Sequence, residues 1–385
     1  MRYIKSKLHS SAVVFTTSIM FIMLFQSCKA QNNIVTADIY NPNHILHSME
    51  KVADWQLLNP TERAWNWWNY GPFYAGVMSL YRNGGNEKYL KAVMAMGEKV
   101  NWKTRPQPYN ANVLCIAQSF LELYEIKKQD YIIENTLFTI DATLNRNYVK
   151  PDVTFIDNDY WLEWWSWCDA LFMAPPAYAH LASITKESKY LDYMTKHWKM
   201  SSEYLYSKQD SLFFRDDRFF TQKSKNGEKI FWSRGNGWVV AGLARVLIHM
   251  PKDYSERKFF EQQFIEMNTR LISLQMDNGF WSQSLLDAEN YPQKESSGTG
   301  FFVYSMAWGV NNGLLDRETF LPVIKKGWKA LSESVHANGK LGYVQEIGDS
   351  PTDVTFDDTE LYGSGAYILA GNEVYQLMGG TVNKK

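Results

Sequence analysis

The chain has 385 residues, of which 21% are charged, and its formal net charge is −1. That length supports one large domain or two medium ones with a sizeable core. The near-zero charge excludes an overall field for nucleic acid or for an anionic membrane surface. Aromatic residues make up 15% of the chain and include 15 Trp, a content that suits core packing and also stacking against sugar rings.

The N-terminus reads as a targeting segment. Arg2, Lys5 and Lys7 precede the apolar stretch AVVFTTSIMFIMLF (12–25), which is short for a membrane span. A Cys follows closely at position 28, an arrangement that resembles a bacterial lipoprotein cleavage site. Residues 1–30 are therefore expected to be a signal peptide of lipoprotein type lipidated at Cys28, and 31–385 a single domain. Phe25 and Gln26 depart from the strict lipoprotein pattern, which leaves ordinary secretion as the alternative. The expected location is the periplasm or outer-membrane surface of a bacterium. Cys115 and Cys168 lie in apolar helical patterns and read as buried free thiols. The His, Cys and acidic spacings contain no metal motif, and no cofactor is expected.

From about residue 40 onward the pattern is helical, with apolar residues at i, i+3, i+4 and i+7. Strand alternation is local, as in SLFFRDDRFF (211–220). A weak repeat relates GPFYAGVMSLYRNGGNEKYLKAVMAMGEKV (71–100) to CDALFMAPPAYAHLASITKESKYLDYMTKHW (168–198). Each has an apolar helix, a turn, a KYL element and a second helix. Similar units begin near Asn112, Gly235, Gly298 and Gly363. The last is truncated, and a helix near 43–58 would complete its pair. Repeated helix pairs bury their faces against neighbours, as an open solenoid or as a closed ring. Closure into an all-α (α/α)6 barrel is the expected fold. Gly71, Ala111, Gly235, Gly237, Gly298 and Gly300 suit crowded convergence at one end, where the unusual chemistry also collects.

In a closed ring the inner-helix starts bring Trp68, Tyr70, Asn112, Asp169, Trp232, Arg234, Asn236, Trp238 and Thr299 toward one mouth. Helix N-termini there favour an anionic ligand, and an acidic sugar fits that setting. Asp169 is the most informative residue. It sits within WSWCDALFMAPP (165–176), where its neighbours are apolar, aromatic or small. It reads either as a helix N-cap or as a carboxyl raised in pKa by desolvation among indoles. The second state is what a general acid needs. Pro175 and Pro176 predict a short or kinked first helical piece. In FWSRGNGW (231–238), Arg234 offers a planar fork for a carboxylate, or is a surface Arg at a helix start. SGTGFF (297–302) lacks the strand and Lys of a phosphate loop.

WSWCDALFMAPPAYAHLA, FWSRGNGWVVAGLARVL, ESSGTGFFVYSMAWGVNNGLL and TELYGSGAYILAGNEV resemble the unsaturated glucuronyl and rhamnogalacturonyl hydrolases, glycoside hydrolase families 88 and 105, with 105 the nearer. The resemblance implies the (α/α)6 barrel. It also implies a substrate ending in a 4,5-unsaturated uronic acid, released by hydration of the vinyl ether. Asp169 matches the acid that protonates C4, and Arg234, Trp232 and Trp238 match positions lining the sugar site. Two departures stand out. Asn112 occupies the place of a second Asp in the block NANVLCIAQSFLELY, and Arg215 stands where relatives often carry His. The added Arg215 suggests a more anionic, sulfated substrate, so ulvan fragments are preferred to pectic ones. The expected partner is thus an unsaturated oligosaccharide, bound by a monomer or homodimer. The competing readings are an inverting glycosidase or lyase on the same barrel, with Glu163, Asp157 or Asp216 as second carboxylate, and a non-catalytic glycan-binding lipoprotein.

Overall fold

A computed structural model describes residues 38–146 and 151–382. The expected signal peptide and Cys28 lie outside the described residues. The inner ring is formed by α2 (Tyr70–Gly84), α4 (Ala117–Lys127), α7 (Pro175–Thr185), α9 (Ser233–His249), α11 (Ser296–Asn311) and α13 (Leu361–Leu377). The outer layer is α1 (Pro42–Leu58), α3 (Glu87–Lys99), α5 (Glu134–Leu144), α8 (Ser188–Leu205), α10 (Arg257–Ile272) and α12 (Arg317–Ser332). A one-turn piece, α6 (Ala170–Met173), precedes α7.

The two layers differ in sequence for a physical reason. Outer helices bury one stripe only. In α12 that stripe is Phe320, Ile324, Gly327, Trp328 and Leu331, while Lys325, Lys326 and Lys329 face out. Inner helices are covered on all sides, so α9 and α13 are apolar or small nearly throughout. Each inner helix packs on the next, α2 on α4, α4 on α7, α7 on α9, α9 on α11 and α11 on α13, and α13 returns to α2. The ring is therefore closed, an (α/α)6 barrel. The solenoid alternative fails at that last contact. Closure is tight enough to require glycine: a Cβ on Gly365 would lie 2.4 Å from the Pro72 carbonyl carbon, and one on Gly242 would lie 2.3 Å from the Leu171 oxygen.

The sixth pair is completed from the other end of the chain, as the repeat implied. Helix α1 packs on α13, where Ser364 donates to Gln56 Oε1 at 2.7 Å and Ser48 pairs with Tyr367 at 2.6 Å. The predicted break also occurs. Helix α6 ends at Ala174, and Pro175 and Pro176 open α7, where missing N–H donors cost least. The short strands β1 (Tyr206–Ser207) and β2 (Leu212–Phe213) form an antiparallel hairpin just before Arg215. Cys115 and Cys168 are buried free thiols.

Candidate active site

The inner helices start at one end of the barrel, and a cavity of about 190 Å³ opens there. It is lined by Trp68, Asn112, Trp161, Trp167, Asp169, Met173, Arg215, Arg234, Trp238, Ile347 and Gly348. That volume suits a single sugar ring better than a longer ligand. Indole faces form its walls: Trp68 stacks on Tyr362 at 5.6 Å, and Trp161 meets Trp167 edge-on at 5.0 Å.

Asp169 is 8% exposed. Its backbone is already helical and its side chain makes no capping hydrogen bond, so the N-cap reading does not hold. Oδ2 instead has the Cys168 thiol at 3.6 Å and Arg215 Nε at 3.3 Å. Burial pushes this carboxyl up, Arg215 and Arg234 pull it down, and the net position is above the ordinary Asp value. The turn that delivers it is backbone-strained, because Trp165 has φ +57° and is held there by Ser201 donating to its carbonyl at 2.7 Å.

Arg215 is fixed by a chain of charge. Its Nη1 donates to Asp216 at 2.6 Å, and Arg218 grips the same carboxylate through Nε and Nη2, both at 2.8 Å. Arg218 Nη2 reaches on to Asp349 at 2.7 Å. The backbone repeats the link, since Cys168 N donates to the Arg215 carbonyl at 2.8 Å. Arg215 Nε is buried without a well-aligned acceptor, which leaves donor capacity facing Asp169 and the cavity.

Arg234 is held differently from the expectation. Nη1 and Nη2 donate to the carbonyls of Gln345 (2.8 Å) and Glu346 (2.9 Å), so the fork grips the 342–360 loop instead of standing free. Its charge has no carboxylate within ion-pair distance among the described residues, and it still faces the cavity between the Trp232 and Tyr362 rings. The remaining expected residues divide clearly. Asn112, Trp68 and Trp238 line the cavity. Tyr70, Trp232, Asn236 and Thr299 do not, a correction to the expected mouth. Tyr70 donates to Thr61 O at 3.1 Å. Trp232 Nε1 holds Gln345 at 3.0 Å. Asn236 brackets Phe213 with bonds to its N and O at 2.8 and 3.0 Å, and Thr299 Oγ1 accepts from Trp281 N at 3.3 Å. These side chains are buried behind the wall and brace it.

Sequence reasoning missed Asp216, Arg218 and Asp349 as supports, and Ile347 and Gly348 as lining. The RDDR run within 211–220 was a usable signal for the first two. Nothing local marks Ile347, which reaches the site only because Arg234 and Gln345 hold its loop there. Glu163 pairs with Arg146 at 2.8 Å, Asp216 is clamped by two guanidiniums, and Asp157 is exposed. Asp169 is the only carboxylate among the described residues that line the cavity. Among the described residues no group of three or more His, Cys, Asp or Glu is placed to hold a metal, and no helix is long and apolar enough to cross a membrane.

The chain is 38% identical over 352 residues to an unsaturated 3S-rhamnoglycuronyl hydrolase of Formosa agariphila, covering 88% of this chain and 92% of that one. Its fold superposes on a solved glycosyl hydrolase family 88 protein from Bacteroides vulgatus with TM-score 0.79 and 26% identity, over 87% of this chain and 99% of the other. A solved structure described as a polysaccharide lyase matches with TM-score 0.78 and 29% identity, over 89% and 99%. The profile of Glycosyl Hydrolase Family 88 matches residues 40–378, nearly all of the barrel, and the chain belongs to that family.

Proposed function

We propose that this protein removes a 4,5-unsaturated uronic acid from the non-reducing end of lyase-generated oligosaccharides. The carrying observation is a single buried carboxyl, raised in pKa, in a one-ring cavity beside two guanidiniums. In this reading Arg215 and Arg234 attract the uronate carboxylate. Protonated Asp169 delivers its proton to C4 of the double bond, and positive charge develops at C5. Asp169, now a carboxylate, takes a proton from the water that adds at C5. The resulting hemiketal opens and the aglycone leaves. An inverting glycosidase needs a second carboxylate about 6.5–9.5 Å from the acid, and the lining supplies none.

The similarity to a solved polysaccharide lyase raises the lyase reading. The two chemistries have opposite optical signs. A lyase creates the conjugated double bond, so absorbance rises, whereas the proposed hydrolase consumes it. Falling absorbance with an unsaturated disaccharide is expected; rising absorbance with an intact polysaccharide, and none lost with the disaccharide, would overturn the proposal. Within the substrate class we favour sulfated, ulvan-type fragments, because the similar Formosa agariphila protein is an unsaturated 3S-rhamnoglycuronyl hydrolase. Turnover of a pectic rhamnogalacturonyl disaccharide alone would remove that preference. We also propose export and lipid attachment at Cys28. Incorporation of labelled palmitate that survives Cys28→Ala would count against the anchor.

A further inference from the structure

A second recess adjoins the catalytic cavity and shares two of its walls, Trp68 and Asn112. Its other lining is Trp67, just before α2, and Arg105, Gln107, Asn110 and Val113 on the stretch that connects α3 to α4. Its volume is about 40 Å³, room for a small substituent but not for a whole ring.

Its chemistry is one-sided. The Arg105 guanidinium lies 4.1 Å from the centre of the Trp67 ring. It makes no ion pair and no side-chain hydrogen bond with the described residues, and the remaining residues of the chain contain no Asp or Glu that might pair with it. Most half-buried arginines elsewhere are paired: Arg82 with Glu122 at 2.8 Å and Arg146 with Glu163 at 2.8 Å. Trp67 Nε1 is buried with no acceptor. The Asn112 side chain makes no hydrogen bond within the described residues, and the Asn110 amide reaches Gln107 only at 3.5 Å. No carboxylate lines the recess. Unmatched donors and a flat aromatic beside an unpaired guanidinium are what an anionic sugar substituent meets in a recognition site.

We propose that this recess takes an oxyanion carried by the sugar next to the unsaturated uronate, either a sulfate ester or a carboxylate, and that Arg105, braced on Trp67, reads it. The inference deepens the uronyl-hydrolase reading and rests on it for the identity of the neighbouring ring. Arg215 is not the reader, because it lies at Asp169, where the reacting ring sits.

The test is calorimetric, in an Asp169→Asn background so that ligand persists. Three unsaturated uronyl disaccharides are compared: one with a sulfated neighbour sugar, one with the same sugar unsulfated, and one with a uronate neighbour. Arg105→Gln is expected to weaken an oxyanion-bearing ligand roughly 10–100-fold and the uncharged one less than about 3-fold. Arg105→Lys is expected to recover part of the loss. A loss confined to the sulfated ligand assigns sulfate, and one confined to the uronate assigns carboxylate. Equal weakening of all three, no weakening, or no binding of any ligand overturns the inference. Turnover by the unsubstituted enzyme is measured separately. If it consumes no double bond, the hydrolase reading fails while the binding comparison still decides Arg105.

Discussion

The two ends of the barrel both bury charge, and they handle it oppositely. At the end where the inner helices finish, Arg245 Nη2 meets Glu122 at 2.7 Å, Arg82 meets the same carboxylate at 2.8 Å, and Arg245 Nε holds Gln118. Burial pushes Glu122 up, but the two arginines outweigh it and its pKa lies below the ordinary value. Glu373, nearby, receives both Asn311 and Asn372 at 2.9 Å. At the mouth, Arg215 Nε lacks an aligned acceptor, the Asn112 amide is free among the described residues, and Asp169 lies above its ordinary value despite a guanidinium at 3.3 Å. Buried charge held between two opposite charges supports the fold. Buried charge left with unmatched capacity awaits a ligand.

Substitutions can break that contrast. The largest effect is expected from Asp169→Asn, which keeps the shape and removes the transferable proton. Turnover of an unsaturated disaccharide should fall by about 10²–10⁴-fold, with Tm no lower than wild type. Retained turnover would remove Asp169 from the chemistry. Arg245→Ala should do the reverse. It leaves Glu122 with one half-exposed partner and should cost about 3–5 kcal/mol in denaturant unfolding, with kcat per folded molecule unchanged. A large loss of kcat at full folding would deny the separation of the two ends.

Glu373 sharpens the comparison through pH. Burial raises its pKa to about 7, with Asn311 and Asn372 pulling it back. The folded state therefore holds this proton more tightly than the unfolded chain. That contribution is fully present below the ordinary value of 4.5 and is lost as pH rises through about 7. Glu373→Gln should remove the decline, gaining up to about 3 kcal/mol over wild type at pH 8 and little at pH 4. A parallel offset at both pH values would show that the group does not titrate in this way. The smallest effect concerns the alkaline limb of kcat. Asp169 must be protonated to act, so activity falls as pH rises through its pKa. Arg215 lowers that pKa, and Arg215→Gln at saturating substrate should move the limb to higher pH. A limb moved downward would mean that another group controls it.

Much of this was legible in the residue order. The repeat of apolar and KYL-bearing helices, the kink at Pro175 and the burial of Asp169 among indoles all follow from local patterns. Arg234 shows the limit. Its side chain was read as a free fork because nothing near 234 reveals the carbonyls of Gln345 and Glu346, which lie 2.8 and 2.9 Å away. Asn236 and Thr299 failed in the same way. A polar side chain at a helix start can face the lumen or the layer behind it, and periodicity does not distinguish the two.

Composition and spacing were enough to specify helix pairs, small residues at the crossings and a desolvated acid, because each depends on neighbours within a few turns. Which polar groups stay unmatched depends on contacts between residues a hundred or more positions apart. Arg234 is quieted by the loop at 345–346, while Arg105 finds no carboxylate, and those outcomes were settled when the ring closed.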